Sequence, residues 1–82
     1  MILTEEALSE LIEQCKANNR AAQEVLYKYF YPDMFRLCQR YAQHPHEALT
    51  ILNDAFFKVF CNIVQYNKHL GFFKPWLKNK LL

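Results

Sequence analysis

Cysteine and histidine are the residues of this sequence whose side chains could bind a metal ion or form a disulfide. The three cysteines lie far apart, at Cys15, Cys38 and Cys61, and no Cys-x-x-Cys pair is present. Cys38 is followed by His44 and His46, but this spacing is not that of a zinc site. Each cysteine falls at or beside an apolar stripe, where at least two of them would act as small hydrophobic side chains. We therefore predict three reduced thiols and no metal ion or other cofactor.

Residues for enzyme chemistry do not form any pattern that predicts catalysis. The sequence has no glycine-rich phosphate loop, no serine or cysteine nucleophile with a nearby base, and no paired buried carboxylates. We therefore expect a binding protein without catalytic residues.

Positive charge is concentrated at the end of the sequence. The net charge is +2, and the last fifteen residues contain no acid but four lysines, at Lys68, Lys74, Lys78 and Lys80. This distribution is compatible with a nucleic-acid partner. Arg36 and Arg40 add a second positive pair, one helical turn apart, which fits either a solvated face or a phosphate contact.

The longest amphipathic element is predicted from Pro45 to Tyr66. Its apolar residues recur in steps of three and four, at Ala48, Leu52, Ala55, Val59, Ile63 and Tyr66. The opposite side carries amide and acidic residues with one large aromatic residue, including Thr50, Asn53, Asp54 and Phe57. We predict a long central helix whose apolar side builds the core and whose outward side binds a partner.

Further helices complete a predicted all-α bundle of about four helices, in a single domain over residues 1–82. The first helix should begin after the capping residue Thr4. A short fourth helix should begin near Phe73, with Pro75 in its first turn, and continue to the end of the sequence.

The second helix is expected to contain a break. Asn19 can cap it, but Pro32 should end or kink it, because proline removes an amide donor and clashes with the preceding turn. The apolar periodicity resumes at once, so we predict a kinked pair of segments from Arg20 to Gln43, with Tyr41 on the core face.

The amino terminus lacks the features of a secretory signal. Met1 leads into a short acidic helix, and the longest apolar run is far shorter than a membrane span. We expect a cytoplasmic protein with no membrane partner.

Three stretches of the sequence occur in the order and separation typical of one protein family. They are LIEQCKANNRAAQEVLYKYFYPDMFRLCQRY, then EALTILNDAFFKVFCNI, and then Tyr66 through GFFKPWL. Together they resemble region 2 of bacterial sigma factors of the sigma-70 family over nearly the whole chain. The similarity is to the small extracytoplasmic-function (ECF) group in particular, whose members often read DAEDLxQDxFxxVF, followed by an aromatic residue, Gly-Ser-Phe and Trp-Leu.

The resemblance implies a helical domain that docks on core RNA polymerase and opens promoter DNA at the minus-ten element. On the polymerase side the partner would be the clamp helices of the largest subunit, and the implied binding positions are Thr50, Asn53, Asp54 and Phe57. An anti-sigma factor is a further partner that a protein of this class could have.

On the DNA side, the resemblance implies aromatic faces and nearby cations that hold single-stranded bases out of the stack. The positions that supply them are Tyr66, Asn67, Lys68, Phe72, Lys74, Trp76 and Lys78, together with Arg36 and Arg40. For Trp76, a structural place in the core is the favoured interpretation.

Four positions depart from the family pattern and leave a second interpretation open. Leu49 and Thr50 stand where acids are usual, Phe72 stands for a serine, and Lys80 stands for an aliphatic residue. The second interpretation is a divergent helical protein-interaction module with the same fold that has lost promoter function. For a third, an enzyme accessory domain that uses Cys61 or the histidines, no supporting site can be assembled.

The family also has a second DNA-binding domain, the region 4 helix-turn-helix. This chain does not contain it, so we expect the chain to be one domain of a longer factor.

Overall fold

Side-chain caps and one proline fix where the helices begin. The Thr4 hydroxyl accepts a hydrogen bond from the Ala7 amide at 3.1 Å, and the Asn19 side chain accepts one from the Ala22 amide at 3.1 Å. Pro45 occupies the first position of the third helix, where a missing amide hydrogen removes no intrahelical bond. Each of these helices therefore starts where the sequence predicts it.

The computed structural model describes residues 2–81, and it has four α-helices over that range. α1 is Glu5–Lys16, α2 is Arg20–Gln39, α3 is Pro45–Asn62 and α4 is Phe73–Leu81. Two short 3-10 helices, Ile63–Gln65 and Lys68–Leu70, join α3 to α4. No strand occurs among these residues, so the predicted all-α bundle is confirmed. The predicted continuation of the last helix to Leu82 lies outside the described residues.

α2 is a single helix that passes through Pro32. Of the two outcomes predicted there, an end of the helix is wrong, because α2 continues to Gln39. Proline at this position removes the hydrogen bond that its amide would donate to the Lys28 carbonyl. Both residues are exposed, so water can satisfy that carbonyl.

The end of α2 also differs from the prediction, because it lies at Gln39 and not at Gln43. The amides of Arg40 and Tyr41 donate to carbonyls three residues back, at 3.2 and 3.0 Å. This tighter turn rotates Tyr41 off the helical face, and its side chain is 62% exposed. The predicted place of Tyr41 in the core is therefore wrong, and Ala42 packs against the core instead.

α3 lies against both α2 and α4, as a central helix should. It ends at Asn62 and not at Tyr66, because Asn62 adopts φ −113° and ψ 3°, outside the α-helical range. The chain then forms the first 3-10 helix, and Tyr66 is extended. Ile63 and Tyr66 remain buried, so the apolar stripe of the prediction is confirmed although the helix is shorter.

The core is continuous through the bundle and extends into the connection between α3 and α4. Its most deeply buried side chains include Leu26, Met34, Leu52, Ile63 and Leu77. An aromatic cluster anchors the connection, because the Tyr66 ring centroid lies 5.2 Å from that of Phe73 and 5.5 Å from that of Trp76. The residues between Ile63 and Phe73 are thus held against the bundle at Tyr66.

Among the described helices, none combines the length and the apolar character needed to cross a membrane.

Candidate functional site

The first candidate surface is the outer face of α3, formed by Thr50, Asn53, Asp54 and Phe57. All four side chains are exposed, and Phe57 is 72% exposed. They share one side of the helix because they are spaced by three and four residues. Ala48, Leu52, Ala55 and Val59 face the core from the other side. The predicted outward orientation is confirmed, while the binding role of this face remains a prediction.

Hydrogen bonds order two of these four side chains. The Thr50 hydroxyl donates to the His46 carbonyl of its own helix at 3.0 Å. The Asn53 side-chain oxygen accepts a hydrogen bond from the Tyr27 hydroxyl of α2 at 2.8 Å. Asp54 makes no ion pair with any residue from 2 to 81. The face therefore presents a carboxylate, an oriented amide and a large aromatic ring to a partner.

The second candidate site, which we call the C-terminal basic surface, is defined by its place in the sequence as Asn67, Lys68, Phe72, Lys74 and Lys78. The first three line one groove beside α1, whereas Lys74 pairs with Asp33 of α2. All five residues are exposed, and Phe72 is 70% exposed. Asn67 caps the second 3-10 helix, and its side-chain oxygen accepts a hydrogen bond from the His69 amide at 2.9 Å. Lysine charges and an open aromatic face can contact phosphates and stack on bases, respectively.

Tyr66 and Trp76 belong to the predicted DNA-binding set, but Tyr66 lies in the core and Trp76 packs against it. Tyr66 is 7% exposed, and its hydroxyl donates to the Gly71 carbonyl at 2.8 Å. The ring packs against Phe73 and Trp76 and is not open to a base in this conformation, while a DNA-binding role for Tyr66 remains a prediction. Trp76 is half-buried against Tyr66 and Phe73, in agreement with the alternative of a structural role.

Asp33 of α2 joins two cations of the predicted DNA-binding set. The Lys74 Nζ lies 2.9 Å from the Asp33 Oδ2, and an Arg36 nitrogen lies 4.0 Å from the Asp33 Oδ1. The hydrogen bond from Lys74 and the positive charges of Lys74 and Arg36 hold the pKa of Asp33 below its ordinary value. The carboxylate is therefore ionised at neutral pH.

Arg40 is the C-terminal cap of α2 and is exposed, and it has no ion pair within the described part of the chain.

A groove of about 690 Å³ lies between α1 and the connection that follows α3. Two α1 residues that the sequence analysis did not select lie along it. The Lys16 Nζ donates to the Tyr66 carbonyl at 2.7 Å, and the Ser9 hydroxyl lies 3.4 Å from the Lys68 Nζ. These contacts span 50 and 59 residues, so no local sequence signal could identify them.

The thiols and imidazoles do not assemble into a site. Cys15 and Cys38 are buried, which confirms their prediction as small hydrophobic side chains, and Cys61 is exposed on α3. Burial raises the pKa of Cys15 to about 11, so this thiol is protonated at neutral pH. Within residues 2–81, no group of three or more His, Cys, Asp or Glu side chains could hold a metal ion.

Comparisons with known proteins return no match. No family model matches the chain, and neither the curated proteins nor the solved structures include a significant match. The functional interpretation therefore depends on the residues and surfaces described above.

Proposed function

We propose that this chain is the polymerase-docking and promoter-opening domain of a sigma factor of the ECF type. In this proposal the outer face of α3 binds the clamp helices of core RNA polymerase, and the C-terminal basic surface contacts the single-stranded minus-ten element. The domain acts by binding, without catalytic residues of its own.

The outer face of α3 is the observation that carries the proposal. α3 buries Leu52, Phe56 and Val59 but leaves the ring of Phe57 in water beside Asp54. A large exposed aromatic residue next to a charged group is typical of the anchor of a protein interface. The Asn53-Asp54 pair stands where the ECF pattern has Gln-Asp, so the chemistry and the position agree.

The C-terminal basic surface supports the second half of the proposal. Strand opening needs groups that hold bases once they leave the stack, and aromatic stacking contributes about 1 to 3 kcal/mol per base. Phe72 offers an exposed ring, and Lys68, Lys74 and Lys78 offer charge for the backbone. Of the three aromatic residues of the predicted set, Phe72 is the one that is exposed, which supports a stacking role for its ring.

A pull-down with bacterial core RNA polymerase tests the docking function. We expect the immobilised domain to retain core polymerase, and Asp54→Arg to lower the retained amount by at least about tenfold, because reversal of a charge at an interface creates repulsion. Glu10→Arg is the matched control, since it makes the same charge change on exposed α1. Both variants should keep the helical circular-dichroism spectrum and the melting temperature of the parent.

Two outcomes would contradict the docking function. One is that the parent domain retains no polymerase, and the other is that Glu10→Arg weakens retention as much as Asp54→Arg does. The first outcome would favour the divergent protein-interaction module. The exposure of Leu49 and Phe72, two positions that depart from the family pattern, fits that alternative as well.

A further inference from the structure

Tyr27 connects α2 to the outer face of α3. Its hydroxyl donates to the Asn53 side-chain oxygen at 2.8 Å across the contact between the two helices. Tyr27 is half-buried and belongs to the layer that packs against the core, whereas Asn53 is exposed. Tyr27, whose ring packs against the core, thus holds the side chain of Asn53 at the surface.

The position of this hydroxyl is fixed by aromatic packing. The Tyr27 ring lies edge-on to buried Phe56, with 4.9 Å between centroids, and 5.5 Å from the ring of Tyr31. Tyr31 in turn stacks on Phe35 at 5.4 Å with an interplanar angle of 6°. Burial and the neighbouring Tyr31 raise the pKa of Tyr27, so its hydroxyl keeps its proton and can donate.

The hydrogen bond determines which atoms Asn53 presents to a partner. Because the side-chain oxygen accepts from Tyr27, the amide nitrogen with its two N–H donors is directed away from that hydroxyl. Among residues 2–81, no acceptor is bonded to this nitrogen. Asn53 therefore offers donors beside the Asp54 carboxylate, which offers only acceptors.

We propose that Tyr27 is a positioning residue of the polymerase-docking face, which holds the Asn53 amide so that its N–H groups meet an acceptor oxygen on the facing helix of the partner. This inference rests on the proposed function. It extends the docking surface from one helix to two, because α2 then determines the chemistry that α3 displays.

Titration of fluorescently labelled domain with core RNA polymerase, combined with a double-mutant cycle, tests this role. We expect Tyr27→Phe to weaken binding about three- to tenfold, the range of one net hydrogen bond, while it retains the ring and the melting temperature. In the Asn53→Ala background the same change should have no further effect, because Tyr27 acts through the amide. Tyr31→Phe is the matched control, since no hydrogen bond of the Tyr31 hydroxyl occurs in the described range.

Nuclear magnetic resonance tests directly whether Tyr27 positions the Asn53 amide, which a role of Tyr27 in stability alone would not require. The side-chain amide signals of Asn53 should shift in Tyr27→Phe and remain in place in Tyr31→Phe. If the parent binds polymerase and Tyr27→Phe binds equally well, or if the two changes are additive, the positioning role is wrong while the docking function stands. If the parent does not bind polymerase, both proposals fail.

Discussion

Asp33 lies between two positive charges of the surface that we propose for DNA. Its carboxylate accepts from Lys74 at 2.9 Å and lies 4.0 Å from Arg36. A phosphate group that binds Lys74 must therefore compete with Asp33. Both cations could be predicted from the sequence, but the pairing of Asp33 with Lys74 could not, because that contact spans 41 residues.

We expect Asp33→Asn to raise the affinity of the domain for a single-stranded minus-ten oligonucleotide. The gain should be about 1.4- to fivefold, because exposed ion pairs contribute about 0.2 to 1 kcal/mol. Fluorescence anisotropy at low salt measures it, and Glu10→Gln, which removes one negative charge from α1, is the control. Equal affinity of the parent and Asp33→Asn, or an equal gain in the control, would show that Asp33 does not restrain Lys74.

At the scale of the helices, the sequence predicts the starts better than the ends. Thr4, Asn19 and Pro45 fix the residues at which their helices begin, because a cap or a first-turn proline acts within three residues. The ends of α2 and α3 depend instead on turns that the packing of the bundle selects. Those turns rotate Tyr41 outward, whereas Tyr66 stays buried although the helix ends before it.

The outward side of α3 follows from periodicity, and the resemblance to the sigma-factor family implies which of its residues form the candidate docking face. The contacts of these residues with other helices could not be predicted in this way. The Tyr27–Asn53 bond, like the Asp33–Lys74 pair, needs the relative placement of two helices. The residue type of Tyr66 predicts stacking on bases, whereas the aromatic cluster with Phe73 and Trp76 encloses its ring.

Pro32 allows a prediction about α2 as an element. We expect Pro32→Ala to increase the free energy of unfolding by about 1 to 3 kcal/mol, because alanine restores the amide donor to the Lys28 carbonyl and has a higher helix propensity. Urea denaturation followed by circular dichroism measures the change. Gln39→Ala, an exposed substitution in the last turn of the same helix, is the control for propensity alone and should change stability by less than about 0.5 kcal/mol. A Pro32→Ala variant that is no more stable than the parent would contradict this account of α2.

At the scale of the whole molecule, the chain separates its two proposed functions. The outer face of α3 has one carboxylate and no lysine among its four members, whereas the C-terminal basic surface has three lysines and no acid. Substitutions on one surface should leave the other function intact, since neither set contributes to the core.

A salt titration tests this separation on the DNA side. We expect the double substitution Lys68→Ala, Lys74→Ala to reduce the slope of log affinity against log salt by about 1.4 for a single-stranded minus-ten oligonucleotide, at roughly 0.7 for each phosphate that a lysine no longer neutralises. Polymerase retention should not change. Lys28→Ala, a substitution of an exposed lysine on α2, should leave the slope at its parent value. An unchanged slope in the double variant would mean that the nucleic-acid surface lies elsewhere.

The aromatic cluster around Tyr66 has a consequence for biosynthesis. Lys16, which holds the Tyr66 carbonyl, leaves the ribosome early, whereas Phe73 and Trp76, which hold its ring, are translated much later. A nascent chain whose α4 is still inside the ribosome could already pack α3 against α2, yet the segment after α3 would still lack its anchor. The surface that we propose for polymerase should thus form during translation before the surface that we propose for DNA.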